Sequence, residues 1–452
     1  MHRVLTALTL VCASLALVAC RPAPIPAEVD QRLVGEVMMH AELPENLRAL
    51  CMPGGRLSGS ENGAKAEQFI ADACLKYGLA NVHFEPFAMT TWQDRETVVT
   101  LLGDEPITLE GAISLGNCRS TPAGGITAEV IAVGDGSEAA FEEVGDAIKD
   151  KFVLVTEGGR HRGSKMRDVV AAGGAGLIQI SRLSDQSRVG SCHHEARPEP
   201  GVVVTGDEGA LLQERLEAGA GLRLNVKIDA DIWEANPRNV IAEIPGSGPL
   251  AEELVIVCAH LDSWHLAEGA IDNGNGSACI LEVARALAQA DWQPQRTVRF
   301  IWFMGEEHGL HGSRAYVADH LDEMDNIVAV LNVDMPGDPS RFGTFKHPEI
   351  IPFLQEIARD LVGFQIQEDV AEASWTASDH AAFMRQGVCA IGLWGSLGDG
   401  VKFYHSKGDT YEVVDLQATI EAAAAMSVVV RRLADVPERP SVRFEPEPAE
   451  GQ

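Results

Sequence analysis

Five short segments in the second half of the chain concentrate residue types that can hold a metal ion and move protons. They are His260-Leu-Asp262, the glycine-rich run Gly269-Ala-Ile-Asp272-Asn-Gly-Asn-Gly276, Gly305-Glu306-Glu307-His308-Gly309, Asp334, and Tyr404-His405-Ser-Lys-Gly-Asp409. His260 and Asp262 stand two apart, so in extended chain both side chains point to one side. A metal-binding imidazole commonly needs a carboxylate near it to fix its orientation. Two histidines with several carboxylates and no cysteine match a zinc site left open for catalysis. If one carboxylate is shared, two ions can stand about 3.5–4 Å apart and clamp an attacking hydroxide. Each segment alone is weak, because a single His or Asp at a strand end is usually a loop cap. Their recurrence is what points to a site.

The elements that must position these residues alternate. From residue 239 onward, strands are expected at Val240–Ile244, Leu254–Ala259, Val298–Phe303, Ile327–Val333 and Cys389–Leu393. Helices are expected at Ser277–Ala290, Arg314–His320, Pro352–Leu361 and from the Asp415 cap to Ala434. This pattern predicts an α/β fold with a largely parallel central sheet flanked by helices. Ligands of such sheets bind beyond the carboxyl ends of strands, where four of the segments fall. Residues 116–232 differ in character, with short strands, two helices and glycine pairs, and read as an inserted β-rich module. The expected organisation is a signal peptide at 1–20, a tether at 21–27, a first catalytic part at 28–115, the insert at 116–232, a second catalytic part at 233–435 and a disordered Pro/Glu-rich tail at 436–452.

The chain has 452 residues and a formal net charge of −30. With no basic stripe, such a surface repels phosphate backbones, so nucleic acid is excluded as a partner. Arg3 and the short apolar run Val4–Val18 read as a signal peptide rather than a membrane span. The run ends Leu17-Val18-Ala19-Cys20, which resembles a bacterial lipobox. That resemblance implies a lipid anchor on Cys20 and a periplasm-facing lipoprotein, at the outer membrane because Arg21 follows. The alternative is an ordinary signal peptide and a secreted or periplasmic chain. A homodimer is the further association expected. Cys51 with Cys74, and Cys118 with Cys192, are candidate disulfides in an oxidising compartment. No CxxC pair occurs, which argues against a structural thiolate zinc site.

The ordered set HLDSW (260–264), GAIDNGNG (269–276), GEEHGLHGS (305–313), NVDM (332–335) and YHSKGDT (404–410) resembles the co-catalytic zinc exopeptidases. Within them it is most similar to the plasma glutamate carboxypeptidase, or carboxypeptidase Q, branch, as are GRLSGS (55–60) and NVHFEPF (81–87). The resemblance implies a zinc-exopeptidase fold with an inserted protease-associated domain at 116–232. It also implies two zinc ions that activate a water to hydrolyse short peptides or dipeptides. Asp272 would bridge both ions, His260 and Asp334 would complete one site, and Glu307 and His405 the other. Glu306 would act as general base, Asp262 as the partner orienting His260, and Tyr404 as a hydrogen-bond donor to the oxyanion. A cis Asp272–Asn273 bond is implied as well.

The resemblance leaves the recognised end of the peptide open between an aminopeptidase or dipeptidase and a carboxypeptidase. An inactive binding protein on the same scaffold, as in the transferrin receptor, is the further alternative; here all five ligands and the base are present. Serine-hydrolase, thermolysin-like and dinucleotide-binding motifs are absent. His308 and His311 read as structural and His265 has no evident role. Ser378-Asp379-His380 reads either as a family motif beside the pocket or as a helix cap.

Overall fold

The computed structural model describes residues 27–219 and 221–445. The signal peptide, Cys20 and residues 21–26 of the tether lie outside the described residues. Two eight-stranded sheets organise the chain.

The catalytic sheet runs, edge to edge, through Ala80–Pro86, Arg238–Ile244, Thr297–Phe303, Leu254–His260, Ile327–Asn332, Ala390–Ser396, Asp338–Phe345 and Gln367–Ala373. Its centre is parallel: Leu254–His260 pairs in parallel with Thr297–Phe303 on one side and Ile327–Asn332 on the other. Every residue of Leu254–His260 is buried, as a strand covered on both faces requires. Helices Asn275–Gln289 and Leu416–Asp435 pack against each other and onto this sheet. Asp415 caps the latter, its Oδ1 accepting from the Ala418 N–H at 3.1 Å. The N-terminal helix Ala27–His40 is fastened to the same helix through Asp30, whose carboxylate accepts from Arg431 Nε at 2.8 Å and Arg432 Nε at 2.9 Å.

Two strands of this sheet, Asp338–Phe345 and Gln367–Ala373, are absent from the sequence reading. The first carries Pro, Arg and Gly, and the second is a half-exposed edge strand rich in Glu and Asp. Neither shows the apolar run that marks a central strand. The tail expectation is corrected for residues 436–445. Arg439 donates to the Asp325 carbonyl at 2.8 Å, Phe444 stacks on His347 with centroids 4.4 Å apart, and Ser441 donates to the Val328 carbonyl. A few anchoring side chains outweigh the disorder-prone composition there.

The second sheet takes in more chain than 116–232. Met89–Leu102 and Arg223–Ala235 pair antiparallel along their whole length, from Met89 opposite Ala235 to Leu102 opposite Arg223. They carry the chain out of the catalytic sheet and back. Beyond them Ile126–Ala132, Phe152–Thr156, Gly176–Ile180 and Gly201–Val204 run parallel. Helix Glu138–Val144 lies between the first two of these strands and Arg162–Ala171 between the second and third, while Gly206–Glu217 leads from the last one back to Arg223–Ala235. The module is therefore α/β, with one helix more than its sequence indicated.

Candidate metal centre and active site

The polar segments converge at the carboxyl edge of the parallel strands. His260 is the last residue of its strand and is buried. Its Nδ1 hydrogen-bonds the backbone carbonyl of Asp262 at 3.1 Å, which leaves Nε2 facing Asp272 Oδ1 at 3.1 Å and Asp334 Oδ1 at 3.5 Å. On the other side, His405 Nε2 faces Asp272 Oδ2 at 2.9 Å and Glu307 Oε2 at 3.0 Å. The two oxygens of Asp272 thus look at two histidines from opposite directions. The ligand atoms of His260, Asp272 and Asp334, and of Asp272, Glu307 and His405, each lie within 4.8 Å of one another.

Asp272 sits in the loop entering helix Asn275–Gln289, and the bond from Asp272 to Asn273 is cis. The loop is held by backbone contacts. Asp409 accepts from the N–H groups of Ile271 at 2.6 Å and Asp272 at 3.1 Å. Asn273 Oδ1 accepts from Gly276 N at 3.1 Å and Met335 N at 2.9 Å, joining this loop to the one after Asp334. Arg56, fully buried, donates Nε to Leu261 O at 2.8 Å, Nη1 to Glu268 O at 2.5 Å and Nη2 to Gly269 O at 2.7 Å. A buried guanidinium satisfied wholly by carbonyls fixes those loops in one geometry. Ser58, two residues on, accepts from Gly305 N at 2.7 Å and so braces the loop carrying Glu306.

Asp262 sits between the segments. Its carboxylate accepts from Glu306 N at 3.2 Å and Glu307 N at 3.4 Å, with Oδ1 3.7 Å from His260 Nδ1. Its closest hold on His260 is therefore through its backbone, while its side chain seats the two glutamates. Gly305 and Gly309 lie at φ +77° and +123°, so the Glu306–Glu307 segment is a tight turn rather than a helix. His308 packs against Trp264, centroids 5.0 Å apart, and His265 lies 6.0 Å from Trp92; neither joins the cluster.

His405 is tied to the insert. Its Nδ1 donates to the Val189 carbonyl at 3.0 Å, and its own carbonyl accepts from Val189 N at 2.9 Å. Ser191, two residues further, donates Oγ to the Glu307 carbonyl at 3.3 Å. This loop of the second module thus orients one imidazole by the outer hydrogen bond that ligating histidines typically make. Tyr404 stacks on His405 with centroids 3.7 Å apart and turns toward the cavity.

Crowding of carboxylates governs the electrostatics. Burial lowers the His405 pKa, but Glu307 and Asp272 outweigh it and raise it to about 9. His260 is likewise raised against burial, by Glu306 and Asp334. Burial pushes Glu307 up to about 7 and Glu306 well above the carboxylate range, with Glu307, Asp334 and Asp379 adding to the latter. Glu307 Oε1 and Asp334 Oδ1 are buried without a hydrogen-bond partner. Carboxylates that face imidazole nitrogens and keep a buried oxygen without a donor are a set that a divalent cation satisfies, so the residues fit zinc.

The cluster forms the floor of a cavity of about 1250 Å³ between the two modules. Glu306 and Tyr404 line it beside the floor. Phe345, Trp375 and Trp394 make an aromatic wall from the catalytic module, and Arg162, Arg167 and Arg197 stand on the insert side. Ser378-Asp379-His380 is buried behind that wall, with His380 against Phe345 and Trp375. Ser378 Oγ accepts from Asn332 Nδ2 at 2.9 Å, and helix His380–Met384 begins without a side-chain cap.

Residues 239–430 match the model of Peptidase family M28. The chain belongs with the co-catalytic zinc exopeptidases, and residues 239–430 are the part that matches M28. Carboxypeptidase Q of Xenopus laevis is 29% identical over 406 residues, covering 85% of this chain and 84% of its own. An aminopeptidase of Pseudomonas aeruginosa is 30% identical over 322 residues, covering 68% of this chain and 56% of its own. Among solved structures, a peptidase M28 precursor from Shewanella amazonensis superposes with a TM-score of 0.82 at 21% identity. That match covers 94% of this chain and 99% of the other, and it speaks for the fold. The chain is a zinc-dependent exopeptidase, a metallo-hydrolase acting on peptides. No described helix is long and apolar enough to cross a membrane.

Sequence reasoning missed Arg56, Ser58 and Val189 as supports of this site. Arg56 and Ser58 stand in a quoted motif, but nothing in a sequence says that a guanidinium ends on carbonyls some 200 residues away. Val189 acts through its carbonyl alone, which leaves no residue-type signal.

Proposed function

We propose that the chain is a di-zinc dipeptidase, cleaving short peptides one residue before a free carboxyl end. The ligands are His260, Asp272 and Asp334 for one ion and Asp272, Glu307 and His405 for the other. The observation that carries this reading is Asp272, whose two oxygens face two histidines, each with a second carboxylate beside it. Bound there, zinc supplies Lewis acidity toward the scissile carbonyl and toward the attacking water. Glu306, which lines the cavity beside Glu307 and has its proton affinity raised by burial, takes a proton from that water and passes it to the leaving amine. The Tyr404 hydroxyl donates to the oxygen that gains charge as the carbonyl is attacked.

The names of the two relatives differ in which end of a peptide is recognised, and Arg162 favours the carboxyl end. Its Nε donates to the Ser191 carbonyl at 3.1 Å, and Ser191 in turn contacts Glu307. Arg162 pairs with no carboxylate among the described residues, in a chain with 66 acidic side chains. Several other partly or wholly buried arginines do pair, Arg188 with Glu157, Arg238 with Glu67, Arg285 with Glu282 and Arg299 with Glu243, whereas Arg56 is filled by backbone carbonyls. A guanidinium bound on one edge and free on the other suits a substrate carboxylate. Gly190 makes room for it, since a Cβ there would meet Arg162 Nη2 at 1.8 Å.

The test compares free dipeptides with their C-terminal amides. Amidation is expected to lower kcat/KM by about 10–100-fold, the worth of a charge-assisted hydrogen bond. In Arg162→Gln that penalty should shrink to within a few-fold, because the loss falls on the free dipeptide. Equal cleavage of both forms by the parent enzyme would remove the carboxyl-end assignment, and robust internal cleavage of an end-blocked protein would remove the exopeptidase mechanism. We further propose attachment to the envelope by lipid on Cys20, the cavity facing the periplasm.

A further inference from the structure

Outside the catalytic cluster, a second group of ligating atoms stands in the insert wall of the same cavity. Cys118 and Cys192, 74 positions apart, are both buried and both thiols, with their sulfurs 3.5 Å apart. His193 follows Cys192, and its ring completes a set whose ligand atoms lie within 4.8 Å of one another. Neither cysteine belongs to a CxxC motif. The fold creates the pair by bridging Gly116 to Ser191 and Cys118 to Arg197 in parallel.

We propose that Cys118, Cys192 and His193 form a third metal site, selective for a thiophilic cation such as zinc.

Three observations carry this. Two sulfurs bound to one tetrahedral zinc at about 2.3 Å each lie roughly 3.7 Å apart. The sulfur separation of 3.5 Å is close to that edge and far from the roughly 2.05 Å of a disulfide. His193 Nε2 donates to the Glu199 carbonyl at 3.0 Å. That is the outer hydrogen bond which fixes a ligating imidazole, and it leaves Nδ1 for the sulfurs. Cys118 Sγ accepts from the Gly201 N–H at 3.1 Å, a contact that favours a thiolate. Three protein ligands leave a fourth position, and Cys192 and His193 both line the cavity from which water can fill it. Thiolate and imidazole together select zinc or monovalent copper over magnesium or calcium.

The position has a structural consequence. The loop from Val189 to His193 orients His405 and touches Glu307 at one end and holds the thiol pair at the other. An ion between Cys118 and Cys192 ties that loop to the strand-edge segment around Gly116.

The test loads the full mature chain with Zn²⁺ or Co²⁺ under reducing conditions and counts metal after dialysis. The parent protein is expected to hold one ion more than Cys118→Ser/Cys192→Ser, and only the parent should show thiolate-to-cobalt charge-transfer absorption. His193→Gln keeps both sulfurs and should weaken that ion about 10-fold or more, guarding against a misfolded double variant. Equal metal content in parent and double variant, with no charge-transfer band, would overturn the site. So would isolation of Cys118 and Cys192 as a disulfide that reduction does not convert into a metal site.

Discussion

Glu306→Gln is expected to keep its zinc and lose turnover by about 10²–10⁴-fold, the range that loss of a general base costs. The amide fills the same volume and can still occupy the turn that Asp262 holds through the Glu306 and Glu307 N–H groups. None of the atoms facing His260 or His405 belongs to Glu306, so the ligand set survives. What disappears is a carboxylate able to accept a proton. The loss corresponds to about 3–5 kcal/mol of barrier. It should fall on kcat and kcat/KM together, since proton transfer belongs to the reacting complex. Metal analysis beside steady-state kinetics on one sample checks both halves. Parent-like turnover would take the base assignment away from Glu306, and loss of metal would make Glu306 a ligand instead.

Asp272→Ala should have the larger effect on the metal. Its two oxygens serve both histidines, so one substitution removes a ligand from each site. Removing an outer partner of a ligand already costs about 10–100-fold in affinity, and loss of a shared inner ligand should exceed that at both positions. The expected result is loss of both catalytic ions on dialysis and hydrolysis below detection. Asp334→Ala and Glu307→Ala should each weaken only one ion. An Asp272→Ala protein that keeps both ions would refute the bridging role. Because the cysteine site shares no residue with this cluster, it should be untouched in all three variants.

The candidate centre is legible where strands end on polar residues. His260, Glu306, Glu307 and Asp334 each follow an apolar run long enough to be a buried parallel strand, and the sheet topology brings those ends together. Their pairing through Asp272 was implied only by resemblance, because spacing cannot show which carboxylate faces two imidazoles. Supports acting through the backbone were invisible: Asp409 accepting two N–H groups, Arg56 donating to carbonyls, and Val189 orienting His405 across the module boundary. The edge of the second module was misjudged for a related reason. Met89–Leu102 reads as strand wherever it pairs, and its partner Arg223–Ala235 lies more than 100 residues away. Cys118 and Cys192 were visible as a pair, but their distance from a metal motif concealed His193 as a third member.

Zinc titration of the chelated chain beginning at residue 21, with Cys118 and Cys192 replaced by serine, is the most direct test. Dipeptide hydrolysis should be absent without metal and reach its plateau at two equivalents bound per chain. Full activity at one equivalent, or two bound ions with no hydrolysis of any free dipeptide, would contradict a catalytic centre built on Asp272.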